Sequence, residues 1–74
     1  MNVNIYVNLG KVIHERRVKL GLTQQDLAGD ADMERSYISA VENGRKKIQV
    51  DTLMRIASAL NIRASKLLDD ASKL

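Results

Sequence analysis

No cysteine and no proline occur in the 74 residues. The first absence excludes disulfide scaffolds, zinc knuckles and thiol chemistry. The second leaves helix permitted through the whole body of the chain. Phenylalanine and tryptophan are also missing, so the two tyrosines are the only aromatics. A single histidine, His14, cannot build a histidine-rich metal site or a proton-shuttling pair, and no metal or cofactor is expected. No apolar run approaches the roughly 20 residues of a membrane span, and no signal-peptide pattern opens the sequence. These absences predict a soluble, cytoplasmic protein that is not an enzyme and has no membrane partner.

What is present is 45% hydrophobic and 28% charged, the composition of a globular chain. A chain this short buries roughly 60% of its unfolded surface, so one thin-cored domain is expected, helped by a partner subunit. Lysine and arginine number 12 against 9 acidic residues, a net charge of +3. Their distribution is uneven. Lys11, Arg16, Arg17 and Lys19 against Glu15 make residues 11–19 basic, and Asp26, Asp30, Asp32 and Glu34 make residues 26–34 acidic. Residues 35–47 swing back through Arg35, Arg45, Lys46 and Lys47 against Glu42. A basic patch beside an acidic one suggests a polyanion on one face, with a solvated, mixed-charge surface as the alternative.

Val3, Ile5 and Val7 alternate with polar or aromatic neighbours, the period of a half-buried strand, so residues 1–7 are expected to form an N-terminal arm. Such an arm would be loose or would pair with its copy in another subunit; the loose arm is favoured. From Asn8, a candidate N-cap, Leu9, Val12, Ile13 and Leu20 fall on one helical stripe with Arg17, and Gly21 ends it. Thr23-Gln24-Gln25-Asp26 has the form of a capping box. A short second helix follows, with Leu27, Ala28 and Ala31 inward, and a corner at Asp32. A third helix runs from about Arg35 to Glu42, burying Ile38 and Val41, with Met33 packed at the turn and Asn43-Gly44 as its stop. Leu53, Ile56, Ala57 and Leu60 mark a fourth helix stopped by Asn61, and Ala64 to about Asp70 a fifth, with residues 71–74 a frayed tail. The expected fold is all-α, five short helices in a single domain over 1–74.

Residues 22–28 (Leu-Thr-Gln-Gln-Asp-Leu-Ala), 36–44 (Ser-Tyr-Ile-Ser-Ala-Val-Glu-Asn-Gly) and 53–60 (Leu-Met-Arg-Ile-Ala-Ser-Ala-Leu) stand in order at the spacing of a known family. They resemble the phage Cro/repressor type of helix-turn-helix domain, over about residues 8–69. Arg35-Ser36-Tyr37-Ile38-Ser39 also resembles the recognition helix of restriction–modification controller proteins. The resemblance implies a five-helix, lambda-repressor-like domain with its helix-turn-helix at 24–42. It further implies a prokaryotic or phage transcription regulator, active at the nucleoid, that binds a (pseudo)palindromic operator in double-stranded DNA as a homodimer. No small-molecule ligand is expected.

In such a domain the second helix of the pair lies in the major groove while the first crosses the backbone. Arg35, in the first turn of the recognition helix, is expected to read a guanine through O6 and N7; a phosphate contact or a solvated arginine is the alternative. Ser36 can touch base or phosphate, and Ala40 a thymine methyl. Tyr37 stands by family position at the DNA backbone, with core packing a close second. Gln24, at the start of the second helix, is expected on a phosphate, as are Ser39, Asn43, Arg45, Lys46 and Lys47. Two residues depart from the family pattern. Asp32 stands where glycine is common, at modest cost because Asp tolerates the left-handed conformation. Glu34 replaces a short cap; either it caps poorly or it accepts a hydrogen bond from a cytosine amine. By the same resemblance Arg17 and Glu42 form a buried ion pair, the alternative being an exposed pair worth ~0–1 kcal/mol. Val50, Met54, Ile62, Leu67 and Leu68 exceed what so small a core can cover and are expected at a dimer interface.

Two other classes of function compete. An antitoxin that neutralises a toxin and autoregulates its operon would use the same domain, but only the short arm and tail are free to hold a partner. An enzyme would need more than the adjacent carboxylates Asp69-Asp70, which do not face one site on a helix.

Overall fold

The first helix begins earlier than the alternation at Val3, Ile5 and Val7 suggests. The computed structural model describes residues 4–74. Asn4 is the N-cap, its Oδ1 accepting from the Tyr6 and Val7 amides at 3.1 and 3.2 Å. Residues 5–7 are therefore helical rather than part of an arm, and residues 1–3 lie outside the described region. An Asx cap satisfies orphan amides, which an unpaired strand could not do. Asn8 is not the cap either: it lies within the helix and donates from Nδ2 to the Ala71 carbonyl, 3.1 Å away.

Five helices follow in order, α1 (Ile5–Lys19), α2 (Gln24–Ala31), α3 (Arg35–Glu42), α4 (Val50–Ala59) and α5 (Ala64–Ser72), with no strand among the described residues. The first four stops have a local cause. Gly21 and Gly44 take positive φ, and so do Asp32 (φ 56°) and Asn61 (φ 52°), the non-glycine types that best tolerate that region. α2 opens with a complete capping box: the Asp26 amide donates to Thr23 Oγ1 at 3.0 Å, and the Thr23 amide to Asp26 Oδ2 at 2.9 Å.

α1 packs on α3 and α5, α2 on α3 and α4, and α4 on α5. The apolar faces converge on one core of Leu9, Ile13, Leu27, Ile38, Val41, Ile56, Leu60 and Leu67, with Met33, Tyr37, Ile48 and Ile62 packed against its margin. Three sequence expectations change here. Leu20 is exposed at the end of α1. Ala71 is buried in the last turn of α5, so the helix continues where a frayed tail was expected. Leu67 is only 1% exposed; its side chain fills the monomer's own core and offers nothing to a partner.

One close approach positions the rest. Gly10 faces the C-terminal end of α3, and a Cβ there would run into the Val41 and Glu42 carbonyl oxygens. Glycine's missing side chain lets α1 lie directly against the backbone of α3.

Candidate nucleic-acid interface

α2 and α3 meet at a corner made compact by Ala28 and Ala31, both buried. Asp32 turns the chain in the left-handed region (φ 56°, ψ 54°), and the Met33 amide returns to the Ala28 carbonyl at 2.8 Å. The short link brings the N-terminus of α2 and the first turn of α3 to one side of the molecule.

Behind them sits a buried charge cluster. Arg17 Nε donates to Glu42 Oε2 at 2.6 Å and Nη2 to Oε1 at 3.0 Å, while Nη1 donates to the Leu22 carbonyl at 2.8 Å. The Glu42 side chain is 4% exposed and that of Arg17 11%. Burial pushes the Glu42 carboxyl up, but its hydrogen bonds with Arg17, His14 and Gln24 outweigh it and hold the group below its ordinary value. The bond to Glu42 likewise holds the Arg17 guanidinium above its own. A two-pronged, geometrically fixed pair ties the end of α3 to α1, leaving its exposed alternative without support.

The cluster reaches the surface through two side chains that the sequence does not connect to it. His14 Nδ1 lies 2.9 Å from Glu42 Oε1. Gln24 is held at both ends: Nε2 donates to Glu42 Oε1, and Oε1 accepts from Arg35 Nη1, each at 3.1 Å. A single chain of hydrogen bonds thus runs from α1 through Glu42 and Gln24 to Arg35.

Arg35 and Ser36 are exposed at the start of α3, with Ser39 and Ala40 half-buried one turn on. Glu34 is the exposed N-cap of α3 and makes no side-chain capping bond, so it caps poorly. Tyr37 is half-buried with its ring against the core margin, and Lys46 Nζ lies 5.6 Å from the ring centroid, within cation–π range. Asn43 Nδ2 donates to the Ser39 carbonyl at 2.8 Å, helping to close the end of α3. Arg45, Lys46 and Lys47 are exposed on the loop to α4. Arg35 meets Gln24 at the N-terminus of α2, and Lys46 lies over Tyr37 of the same helix α3, while Glu34 is exposed just before Arg35 in sequence and the corner before it is acidic.

Elsewhere, Val50, Met54 and Leu68 are 76%, 57% and 42% exposed, whereas Ile62 is half-buried. Among the described residues no group of three or more His, Asp or Glu side chains could hold a metal ion. No described helix is long and apolar enough to cross a membrane.

The two short helices, their tight corner and the exposed first turn of α3 define a helix-turn-helix unit. Residues 13–67 match the family model described as helix-turn-helix, and the chain belongs to that family, one of DNA-binding transcription regulators. Within it, the chain is 33% identical over 70 residues to the control protein C.BamHI of Bacillus amyloliquefaciens, covering 93% of this chain and 86% of that protein. It is 34% identical over 58 residues to the control protein C.MunI of a Mycoplasma species, covering 78% of each. The crystal structure of the restriction–modification controller protein C.AhdI from Aeromonas hydrophila is similar too. It superposes with a TM-score of 0.82 at 32% identity, over 84% of this chain and 94% of that one. A further similar structure is the restriction–modification controller C.Esp1396I, crystallised as a tetramer with its natural 35 base-pair operator. It has a TM-score of 0.84 at 26% identity, over 93% of this chain and 91% of that one.

Proposed function

We propose that this chain is a sequence-specific transcription regulator of the restriction–modification controller type, binding a (pseudo)palindromic operator in double-stranded DNA as a homodimer. The observation that carries the reading is the placement of Arg35. It projects from the first turn of α3, bonded to Gln24, on a helix whose far end is fixed to α1 by the buried Arg17–Glu42 pair. A side chain preset in this way can present two donors to guanine O6 and N7 with little further ordering.

Ser36 and Ala40 follow Arg35 on the reading surface, and Glu34 stands exposed at the helix entrance, where a contact to a cytosine amine is the alternative to its reading as a poor cap. Gln24, Tyr37, Ser39, Asn43, Arg45, Lys46 and Lys47 supply the backbone contacts that set register and affinity. Val50, Met54, Ile62 and Leu68 form the dimer surface; a two-fold axis there sets two α3 helices about 34–36 Å apart, one DNA turn. We assign no catalysis and no ligand, and place the protein in the cytoplasm on its operator. The antitoxin reading finds no support in the relatives named above.

Selection from a pool of duplexes with a randomised stretch tests the reading. The expected result is an enriched inverted repeat with half-sites about 10 base pairs apart centre to centre, or a multiple of that. A pool that remains random after repeated rounds, with retention falling equally for all sequences as salt rises, contradicts it.

A further inference from the structure

We propose that Arg55, an exposed residue of α4 that lines one surface depression with Asp32, Glu34 and Tyr37, is a positioning residue that clamps the corner between α2 and α3. The proposal rests on the DNA-recognition reading above. Arg55 Nη2 donates to two consecutive carbonyls, Ala31 at 2.8 Å and Asp32 at 2.6 Å. Ala31 is the last residue of α2 and Asp32 its C-cap, so both acceptors belong to the helix end that lacks intrahelical donors. A guanidinium there satisfies orphan carbonyls and meets the negative end of the helix dipole.

The corner needs such a partner. Asp32 holds a left-handed conformation that an L side chain adopts at a cost, where glycine would be free. Asp32 and Glu34 also line one surface depression with Arg55, two acidic residues beside the same helix end. Arg55 brings the opposite charge from a rigid base, because its neighbours Leu53, Ile56 and Ala57 anchor α4 in the core. Arg55 therefore ties the conformation of the corner to the scaffold, and the corner sets the angle between α2 and α3. DNA reading requires the N-termini of both helices to meet the duplex together, with Gln24 on one and Arg35 on the other. A corner that pivots leaves each contact intact in kind but misplaces the two relative to one another.

The test uses the full chain and two probes: the duplex enriched by the wild type from a randomised pool, and a scrambled duplex of equal length. Affinities are measured over a range of salt, with thermal melts to establish that each variant is folded. Arg55→Met is expected to lose about tenfold of the preference for the enriched duplex, the scale of one misplaced bidentate base contact, with the salt slope unchanged. In an Asp32→Gly background, where the corner is free of strain, the same substitution is expected to cost several-fold less. Arg55→Lys, which keeps the charge but not the planar fork, is expected between wild type and Arg55→Met, and it carries the test should Arg55→Met melt below the assay temperature. Equal weakening on both probes with a salt slope lower by about one per subunit makes Arg55 a phosphate ligand and overturns the clamp. An equal loss with Asp32 and with glycine at that position also overturns it. A selective wild type with an unchanged Arg55→Met overturns the clamp alone, whereas a wild type that enriches no duplex overturns the DNA-recognition reading and the clamp with it.

Discussion

Replacing Arg17 with methionine separates a buried ion pair from a surface one. Arg17→Met keeps an unbranched apolar stem and removes the donors to Glu42 at 2.6 and 3.0 Å and to the Leu22 carbonyl at 2.8 Å. His14 and Gln24 still approach Oε1, but Oε2 loses its one donor in a side chain only 4% exposed. Breaking a buried pair from one side costs about 3–5 kcal/mol, and the remaining donors place this case near the lower end. At about 0.05–0.15 kcal/mol per residue, a domain of this size has on the order of 4–11 kcal/mol in total, so urea melts register the loss easily. Its pH dependence is equally specific. In the wild type the Glu42 carboxyl is held below its ordinary value, so its contribution is full above the unfolded carboxylate range and is lost as pH falls through the folded value. In Arg17→Met burial prevails, the carboxyl is expected to rise above its unfolded value, and protonation relieves the stranded charge. The gap between the two proteins is therefore widest near neutral pH and narrows toward about pH 4. A neutral-pH difference within about 0.5 kcal/mol, the scale of a surface change, refutes the reasoning, as does a gap that stays constant in acid.

Gly10→Ala gains about 1 kcal/mol of helix propensity, yet its methyl meets backbone oxygens of α3 that cannot rotate away. Overpacking of about 1–3 kcal/mol is expected to prevail, and a variant that melts later than the wild type contradicts the close approach. Met54→Asp and Leu68→Asp alter exposed apolar positions, so each is expected to leave the monomer folded while dissociating the dimer in sedimentation. A wild type that sediments only as monomer at tens of micromolar, with and without DNA, rules that surface out as an interface.

The first four helix stops and most of the core were legible because their determinants are local. Thr23 and Asp26 three apart, asparagine or aspartate at the left-handed corners, and apolar residues at helical spacing each act within one or two turns. The N-terminus misled because alternation over seven residues competes with a cap at Asn4, and without a partner strand the cap prevails. Leu67 and Leu68 look alike in sequence. They diverge because neighbouring positions on a helix point about 100° apart, one into the core and one to solvent. Gly10 carried no local signal: its reason is a backbone 31 or more residues away, and a lone glycine in a helix reads only as a weak point. The Arg17–Glu42 pair came from family resemblance, but its extension through Gln24 to Arg35 depends on the angle between α2 and α3, which no local pattern encodes.

Comparing Arg35→Ala with Lys46→Ala on the enriched and scrambled duplexes at several salt concentrations tests whether α3 reads bases while the loop after it grips the backbone. Arg35→Ala is expected to cost about 1–3 kcal/mol on the enriched duplex for each half-site and to flatten preference at one base pair there. Lys46→Ala is expected to weaken both duplexes alike and to lower the salt slope by about one per subunit. The reverse pattern, with Arg35→Ala lowering both affinities equally and Lys46→Ala changing base preference, contradicts the assignment of the two roles. No change in binding from either substitution contradicts DNA recognition by this face altogether.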